Sequence, residues 1–369
     1  MGSLYKEKIE GYFAASNTKD GFVSYFDEVF GKSDVDRLYI IKGGPGVGKS
    51  TFMKRMGKKA EEAGLTCQYF YCSSDPDSLD GIIIKEKRVA VIDGTSPHTV
   101  EPKMAGVREI IIDFGRAWDT DGLLSEKEHI EKLSLIKSEG YRECYRFLNS
   151  KSVMDNLLYN LVFPYILFDK LDKSAQRFCK SIFKDIKEKQ KGKISTRITK
   201  AVSSKGLIRL STFEDMADFC VFLKEPFEGC RLSGHFLRAV YEYAKALGAD
   251  ALVSFSPENK NEIDGLYFPQ SKVSVTLYDE KYVARCDKEF KRCKIINCKR
   301  FLDEKSFCRL KPLRKFYSKL SENMLTFALE SLEKAGRAHM DTEKIYRLYT
   351  DYRTVEKIGD EYCKKFFNN

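Results

Sequence analysis

One glycine-rich run holds the residues of this 369-residue chain that are best suited to chemistry. The run satisfies the phosphate-binding P-loop pattern G-x-x-x-x-G-K-[ST] and consists of Gly43, Gly44, Pro45, Gly46, Val47, Gly48, Lys49, Ser50 and Thr51. Its glycines allow successive backbone N–H groups to point at one anion. We therefore expect Lys49 to contact the β and γ phosphates of a nucleoside triphosphate and Ser50 to bind Mg²⁺, while Thr51 caps the next helix or contacts the α phosphate.

The segments on either side of this run have the order that a P-loop requires. Residues 38–41 form a short apolar run that is typical of a buried strand. Phe52, Met56 and Ala60 then recur at helical spacing, and Gly64 can end the helix. Strand, loop and helix in this order favour a phosphate site over the alternative, a glycine-rich turn that binds nothing.

Acidic side chains follow three further predicted strands. Asp93 ends an apolar run in the manner of a Walker B strand, which delivers a carboxylate to Mg²⁺. Asp75 and Asp77 follow the second strand, and Asp113 ends the fourth. Because ligands bind at the carboxyl ends of parallel strands, we expect Asp75, Asp77 or His98 to position a water molecule there. The alternative is a role in caps or turns, in particular for Asp75 at the start of a predicted short helix.

The second half of the chain repeats the first. Shifting positions 52–119 by 184 requires no gap and gives twelve identities, whereas average composition gives about four by chance. The matched pairs include Gly64 with Gly248 and Asp80 with Asp264. The repeat therefore predicts a second α/β core with the fold of the first.

The loop of the second core lacks the residues that bind phosphate. Residues 225–235 contain no lysine, and the register places Ser233 where Lys49 stands and Leu277 where Asp93 stands. Asparagines replace the other three acids, namely Asn259, Asn261 and Asn297. We predict that the second core keeps the fold but binds no nucleotide, so that one nucleotide binds per chain. The alternative is that both cores bind.

Two further groups of basic residues allow more than one interpretation. Arg142 and Arg146 lie one turn apart in a predicted helical segment, where they form either a solvated face or a clamp over the nucleotide. The net charge is +10, and residues 181–200 hold seven bases against two acids. A second basic run spans residues 291–300. Such runs are most often solvated, and the alternative is a footprint for nucleic acid or another anionic partner.

Composition predicts a cytoplasmic protein with reduced cysteines. The N-terminal residues become charged at once, and the most apolar segment, residues 157–168, is too short to span a membrane. The eleven cysteines are an odd number and form no C-x-x-C pair. Their spacing fits no zinc template, so buried thiols are the expectation.

The P-loop, the run from Cys72 to Gly81 and the run from Asp93 to His98 resemble a family of uncharacterised bacterial ATPase-like proteins built from tandem P-loop halves. The resemblance covers nearly the whole chain and is strongest from residue 12 to 120. It implies nucleotide binding in a bacterial cytoplasm. The altered loop at 225–235 distinguishes this chain from a protein with two working sites.

The sequence thus predicts an α/β protein with tandem P-loop NTPase-like, Rossmann-like parallel cores, each followed by a mostly helical segment. The predicted segments are a nucleotide-binding core at 1–122, a helical segment and basic linker at 123–200, the altered core at 201–305 and a helical segment at 306–369. The expected function is Mg²⁺-dependent ATP binding and hydrolysis, with Lys49, Asp93, Asp75 and His98 as candidate catalytic residues and Ser50 and Asp93 as metal ligands. Alternatives are a small-molecule or nucleotide kinase and a nucleotide-gated nucleic-acid-binding module.

Overall fold

Two six-stranded sheets with flanking helices form the α/β architecture of this chain. The structure is a computed structural model that describes residues 10–31, 34–97, 99–184, 192–289 and 291–367. Each sheet is mixed, because one strand in each runs antiparallel to its neighbours. The predicted α/β class is confirmed, and the predicted parallel sheets are mostly parallel, with one antiparallel strand in each.

The described residues of the first half form eight strands and five α-helices. The strands are β1 (Glu10–Phe13), β2 (Ala15–Thr18), β3 (Gly21–Ser24), β4 (Arg37–Lys42), β5 (Cys67–Tyr71), β6 (Leu79–Ile84), β7 (Val89–Asp93) and β8 (Glu109–Asp113). The helices are α1 (Phe26–Phe30), α2 (Lys49–Glu62), α3 (Thr120–Ser125), α4 (Lys127–Val162) and α5 (Phe168–Ile182). The sheet has the order β1-β5-β6-β7-β4-β8, with β2 and β3 as a separate hairpin. The strands β7 and β8 pair with β4 in parallel, so their carboxyl ends lie beside the glycine-rich run.

The second half has the same sequence of strands. They are β9 (Ile194–Thr196), β10 (Lys200–Ser203), β11 (Gly206–Arg209), β12 (Phe219–Lys224), β13 (Ala251–Phe255), β14 (Ile263–Phe268), β15 (Val273–Leu277) and β16 (Arg292–Asn297). The helices are α6 (Thr212–Met216), α7 (Leu232–Leu247), α8 (Glu280–Lys288), α9 (Glu304–Phe307), α10 (Lys311–Leu348) and α11 (Tyr352–Phe367). The sheet order β16-β12-β15-β14-β13-β9 is that of the first sheet when each strand is matched to its equivalent. The predicted repeat is therefore confirmed in strand order.

A turn and the antiparallel strand β6 lie where the sequence pattern predicted the start of a short helix. Instead of a short helix that begins at Pro76, the chain makes a turn in which the Ser78 N–H donates to the Asp75 carbonyl over 2.9 Å. The Ser78 hydroxyl donates to the Asp75 carboxylate over 2.7 Å. All six residues of β6 are buried, so burial on both faces stabilises a strand here rather than a capped helix.

The chain divides into two compact units that do not follow the order of the repeats. Among the described residues, the Lys49 unit comprises those up to Tyr145, Ala201–Ile208 and those from Ala328 onward, and the Arg231 unit comprises those within Arg146–Lys200 and Arg209–Phe327. The helices α4 and α10 each contribute residues to both units. The four consecutive segments that the sequence suggested stay a prediction.

Each unit combines the sheet of one repeat with the last helix of the other. In the Lys49 unit, Val355, Cys363 and Phe366 of α11 join the apolar core formed by α2 and the first sheet. In the Arg231 unit, α5 packs against α7 and contributes to the core of the second sheet. Two isolated β-bridges also join residues of the two repeats within one unit, namely Trp118 with Thr350 and Leu302 with Ile166. None of the described helices has an apolar stretch long enough to cross a membrane.

Candidate phosphate-binding site

The glycine-rich run forms a tight loop between β4 and α2. Gly46 has φ 73° and Gly48 has φ 94°, which are left-handed conformations that favour glycine. Gly48 is the N-cap of α2, and its carbonyl accepts the N–H of Phe52 over 2.9 Å. Val47 is fully buried and fixes the loop on the core. Thr51 is exposed within α2, so the predicted capping role for Thr51 is wrong.

The Lys49 ammonium lies at the N-terminus of α2, within its own loop. It donates to the Gly43 carbonyl over 2.8 Å and to the Gly44 carbonyl over 2.7 Å. The Asp93 carboxylate lies 3.4 Å away, and the side chains of Lys49 and Asp93 are only 11% and 18% exposed. A cation, a carboxylate and the positive end of a helix dipole therefore meet at one point of the structure.

The two predicted metal ligands are Ser50, which follows Lys49 in the chain, and Asp93, whose carboxylate lies 3.4 Å from the Lys49 ammonium. One Asp93 oxygen accepts the Thr95 N–H over 2.9 Å and the Thr95 hydroxyl over 2.6 Å, which orients the carboxylate. The Ser50 hydroxyl oxygen accepts the Leu79 N–H over 3.0 Å. Hydroxyl and carboxylate oxygens are ligands that Mg²⁺ prefers, so the chemistry of these two side chains fits the ion. Within the described ranges, no group of three His, Cys, Asp or Glu residues forms a metal site by itself.

The candidate water-positioning acids already have partners. The Lys205 ammonium lies 3.5 Å from the Asp75 carboxylate and donates to the Asp77 carboxylate. The hydrogen bond from Lys205 lowers the pKa of Asp77. Asp113 accepts the Gly115 N–H over 2.8 Å, which is a turn role. The remaining candidate, His98, lies outside the described residues.

Side chains from α10 and α11 also contact the loop. The Tyr352 hydroxyl donates to the Gly46 carbonyl over 2.8 Å. A Cβ atom at Gly46 would lie 2.9 Å from the Glu343 carbonyl oxygen, so α10 passes directly beside the loop. His339 lies one turn before Glu343, with 3.6 Å between its Nε2 and the Glu343 carboxylate. Burial lowers the pKa of His339, and the charges of Lys137 and Lys49 lower it further.

The loop of the Arg231 unit binds a carboxylate of its own. The Glu225 side chain accepts the Ser233 N–H over 2.7 Å and also the Ser233 hydroxyl, at the first turn of α7. Burial raises the pKa of Glu225, and the bonds from Ser233 oppose that rise. Arg231, which precedes α7, lies 3.2 Å from the Glu262 carboxylate and 5.1 Å from the centre of the Tyr159 ring. The position that a phosphate takes at a helix N-terminus is thus filled by Glu225.

A buried lysine and three acids lie next to that loop. The Lys151 ammonium is 2.8 Å from the Asp155 carboxylate, 2.7 Å from Glu258 and 4.0 Å from Glu228. The Ser321 hydroxyl donates to the second Asp155 oxygen over 2.6 Å. Although burial alone would lower the pKa of Lys151, the charges of Glu258 and Asp155 outweigh it and raise that pKa. Lys151 therefore supplies a positive charge near the altered loop, which lacks a lysine. This charge neutralises acids of the protein, not the phosphates of a ligand.

The other basic candidates occupy solvated or packed positions of their own. Arg142 is exposed and lies 3.7 Å from Glu139, and Arg146 is also exposed, as a solvated helix face requires. Arg197 is buried, and Lys200 lies 3.5 Å from Asp264, so this part of the first basic run is packed rather than solvated. Three other bases of that run lie outside the described residues, namely Lys187, Lys189 and Lys191.

Comparisons with known proteins add one finding. A family model described as "Nephrocystin 3, N-terminal" matches residues 24–82, which include the glycine-rich loop, α2 and β5. The chain is similar to that family over this segment alone. No curated protein and no solved structure matches the chain.

Proposed function

We propose that the Lys49 unit is a P-loop nucleotide-binding unit that binds and hydrolyses ATP with Mg²⁺, and that the Arg231 unit acts as its scaffold or regulator. One observation carries the proposal: Lys49 and Asp93 approach within 3.4 Å at the N-terminus of α2, beside a loop with two left-handed glycines. This constellation binds a polyphosphate and a divalent cation in P-loop proteins. The resemblance to uncharacterised bacterial ATPase-like proteins with tandem P-loop halves agrees with it.

Each residue of the site has a defined role in this proposal. The loop amides and Lys49 hold the phosphates and stabilise the charge that develops on them, and Ser50 and Asp93 hold Mg²⁺, which supplies further charge stabilisation. Lys49 must exchange the Gly43 and Gly44 carbonyls for phosphate oxygens when the nucleotide binds. Gly94 follows Asp93 where many ATPases have a glutamate, so we expect slow turnover by the isolated chain.

Titration calorimetry with ATP, ADP and GTP tests the proposal directly. The chain has no N-K-x-D motif for guanine, so tighter binding of ATP than of GTP is expected. Chromatography of the products should then give ADP and phosphate. Failure of both ATP and GTP to bind in the presence of Mg²⁺ would contradict the proposal, and transfer of phosphate to an added metabolite instead of water would favour a kinase.

We predict that Asp93→Asn weakens ATP binding mainly when Mg²⁺ is present. The amide removes the negative charge from a ligand of the metal but keeps the oxygen that accepts from Thr95. Calorimetry with Mg²⁺ and with a chelator gives the comparison. Asp113→Asn is the matched control, because Asp113 ends the neighbouring strand and its observed contact is local. An equal loss of affinity with and without Mg²⁺ would assign Asp93 a structural role.

We predict that one nucleotide binds per chain. Glu225 fills the phosphate position of the second loop, and that loop has no lysine or Mg²⁺-binding acid at the matching places. Arg231 is the cation that could replace the lysine, but it already pairs with Glu262. Calorimetry of the wild type and of Arg231→Ala should therefore return one site with the same affinity. A stoichiometry of two, or a weaker site in Arg231→Ala, would contradict this prediction.

A further inference from the structure

A basic groove lies on the surface of the Arg231 unit. One wall is α5, and the other is the edge strand β16 with the turn that follows it. The groove encloses about 1150 Å³. Six of its lining residues are basic: Lys170, Arg177, Lys294, Lys299, Arg300 and Lys305.

The charge of this groove is unbalanced. Asp303 is the acid that lines it among the described residues. Lys170, Arg177 and Lys294 are exposed and form no ion pair with any described residue. Some bases outside the groove in the same unit are paired, such as Lys272 with Asp218 at 3.4 Å. Cations without an acidic partner on two facing walls produce a positive potential that attracts anions.

The arrangement of the cations indicates a linear polyanion. Lys170 and Arg177 are seven residues apart on one face of α5, which places them about 10 Å apart along the helix axis. Lys294 and Arg300 lie on the opposite wall. A chain of phosphates that runs along the groove can contact both walls, whereas a single phosphate cannot reach cations spread over this length.

The apolar residues of the groove help to distinguish among nucleic acid, bare polyphosphate and a membrane surface as its ligand. Leu167 is 38% exposed and lies among the cations of the groove. Exposed aliphatic side chains can contact the faces of unpaired bases, which a bare polyphosphate does not have. A flat membrane surface would contact the rims of a concave groove and leave its interior cations unpaired. We infer that this groove binds single-stranded nucleic acid through its phosphodiester backbone.

This inference is independent of the proposed ATPase function, because the groove shares no residue with the Lys49 unit. The test uses the full chain and fluorescence anisotropy with labelled oligothymidylate and oligouridylate of about 16 nucleotides. The variant Lys170→Ala/Lys294→Ala removes one cation from each wall. It should weaken binding at least tenfold at about 0.1 M salt and reduce the slope of log K against log salt by about 1.4, because each phosphate contact on a single strand contributes about 0.7.

The matched control is Lys245→Ala/Lys288→Ala, which removes two exposed lysines of the same unit outside the groove. It should change the affinity and the salt slope much less. Equal loss in both double variants would show that only net charge matters and would overturn the inference. Absence of binding by the wild type, or binding to phosphatidylserine vesicles but not to oligonucleotides, would also overturn it. Melting curves establish that the variants are folded, and Lys170→Gln/Lys294→Gln repeats the test if the alanine variant is not.

Discussion

Lys49→Ala is expected to raise the dissociation constant for ATP at least tenfold and to abolish most of the ATP hydrolysis. Charge-assisted hydrogen bonds are worth about 1.5–3 kcal/mol each, and the Lys49 ammonium can donate more than one to the β and γ phosphates. In the free protein Lys49 donates to the Gly43 and Gly44 carbonyls, and it gives up these bonds when ATP binds. The loss of binding free energy in the variant is therefore smaller than the sum of the bonds that Lys49 makes to the phosphates. Calorimetry with Mg²⁺-ATP measures the loss of affinity, and phosphate release measures the loss of turnover.

The control for this variant is Lys58→Ala. Lys58 lies on the same helix as Lys49, but its side chain is 78% exposed and its partner is Glu62 at 3.8 Å. We expect wild-type affinity for ATP in this control. Lys49→Ala should remain folded with a lower thermal midpoint than the wild type, because Asp93 loses its ion-pair partner while the apolar core is unchanged. Unchanged ATP binding by a folded Lys49→Ala protein would rule out the proposed site.

Lys151→Ala is expected to lower the unfolding free energy of the Arg231 unit by about 3–5 kcal/mol. The Lys151 side chain is 4% exposed, and Asp155 is 13% exposed, so the change leaves carboxylates buried without their cation. Glu258, at 2.7 Å from the same ammonium, loses its partner as well. Urea unfolding of wild type and variant gives the difference in stability.

Lys127→Ala is the matched control for Lys151→Ala. Lys127 lies on the same helix, α4, and pairs with Glu131 across one turn at 3.8 Å, as Lys151 does with Asp155. Both side chains of that pair are more than 60% exposed. Exposed pairs of this kind contribute well under about 1 kcal/mol, so the control should unfold almost as the wild type does. Similar stability of the two variants would mean that the acids around Lys151 are solvated.

The sequence predicted those parts of the structure that depend on local pattern. The glycine spacing around Gly46 and Gly48 and the apolar period of α2 together predicted strand, loop and helix in their observed order. The shift of 184 predicted the second sheet because a repeat preserves apolar positions even where polar ones change. By contrast, β6 was missed, since its Asp-Pro-Asp turn is also a typical start of a helix.

The rest of the candidate site could not be predicted because its contacts are remote in sequence. Tyr352 donates to Gly46 across 306 positions, and no local pattern marks a tyrosine for that role. His339 and Glu343 belong to a helix whose pattern indicates only that one face is apolar. The Glu225 contact to Ser233 was also missed, although the repeat had singled out this loop, because an added acid there can equally face solvent. The roles of Lys49, Ser50 and Asp93 in catalysis stay predictions.

In each unit the last helix of one repeat packs on the sheet of the other, and this arrangement affects folding during translation. The apolar residues Phe52 and Met56 of α2 are covered by α11, which follows α2 by about 300 residues. At about 5–20 residues per second, a ribosome needs roughly 15–60 s to supply that cover. The apolar surface of the first core therefore stays uncovered while the second core is synthesised. During that time we expect this surface to bind chaperones and to be prone to aggregation.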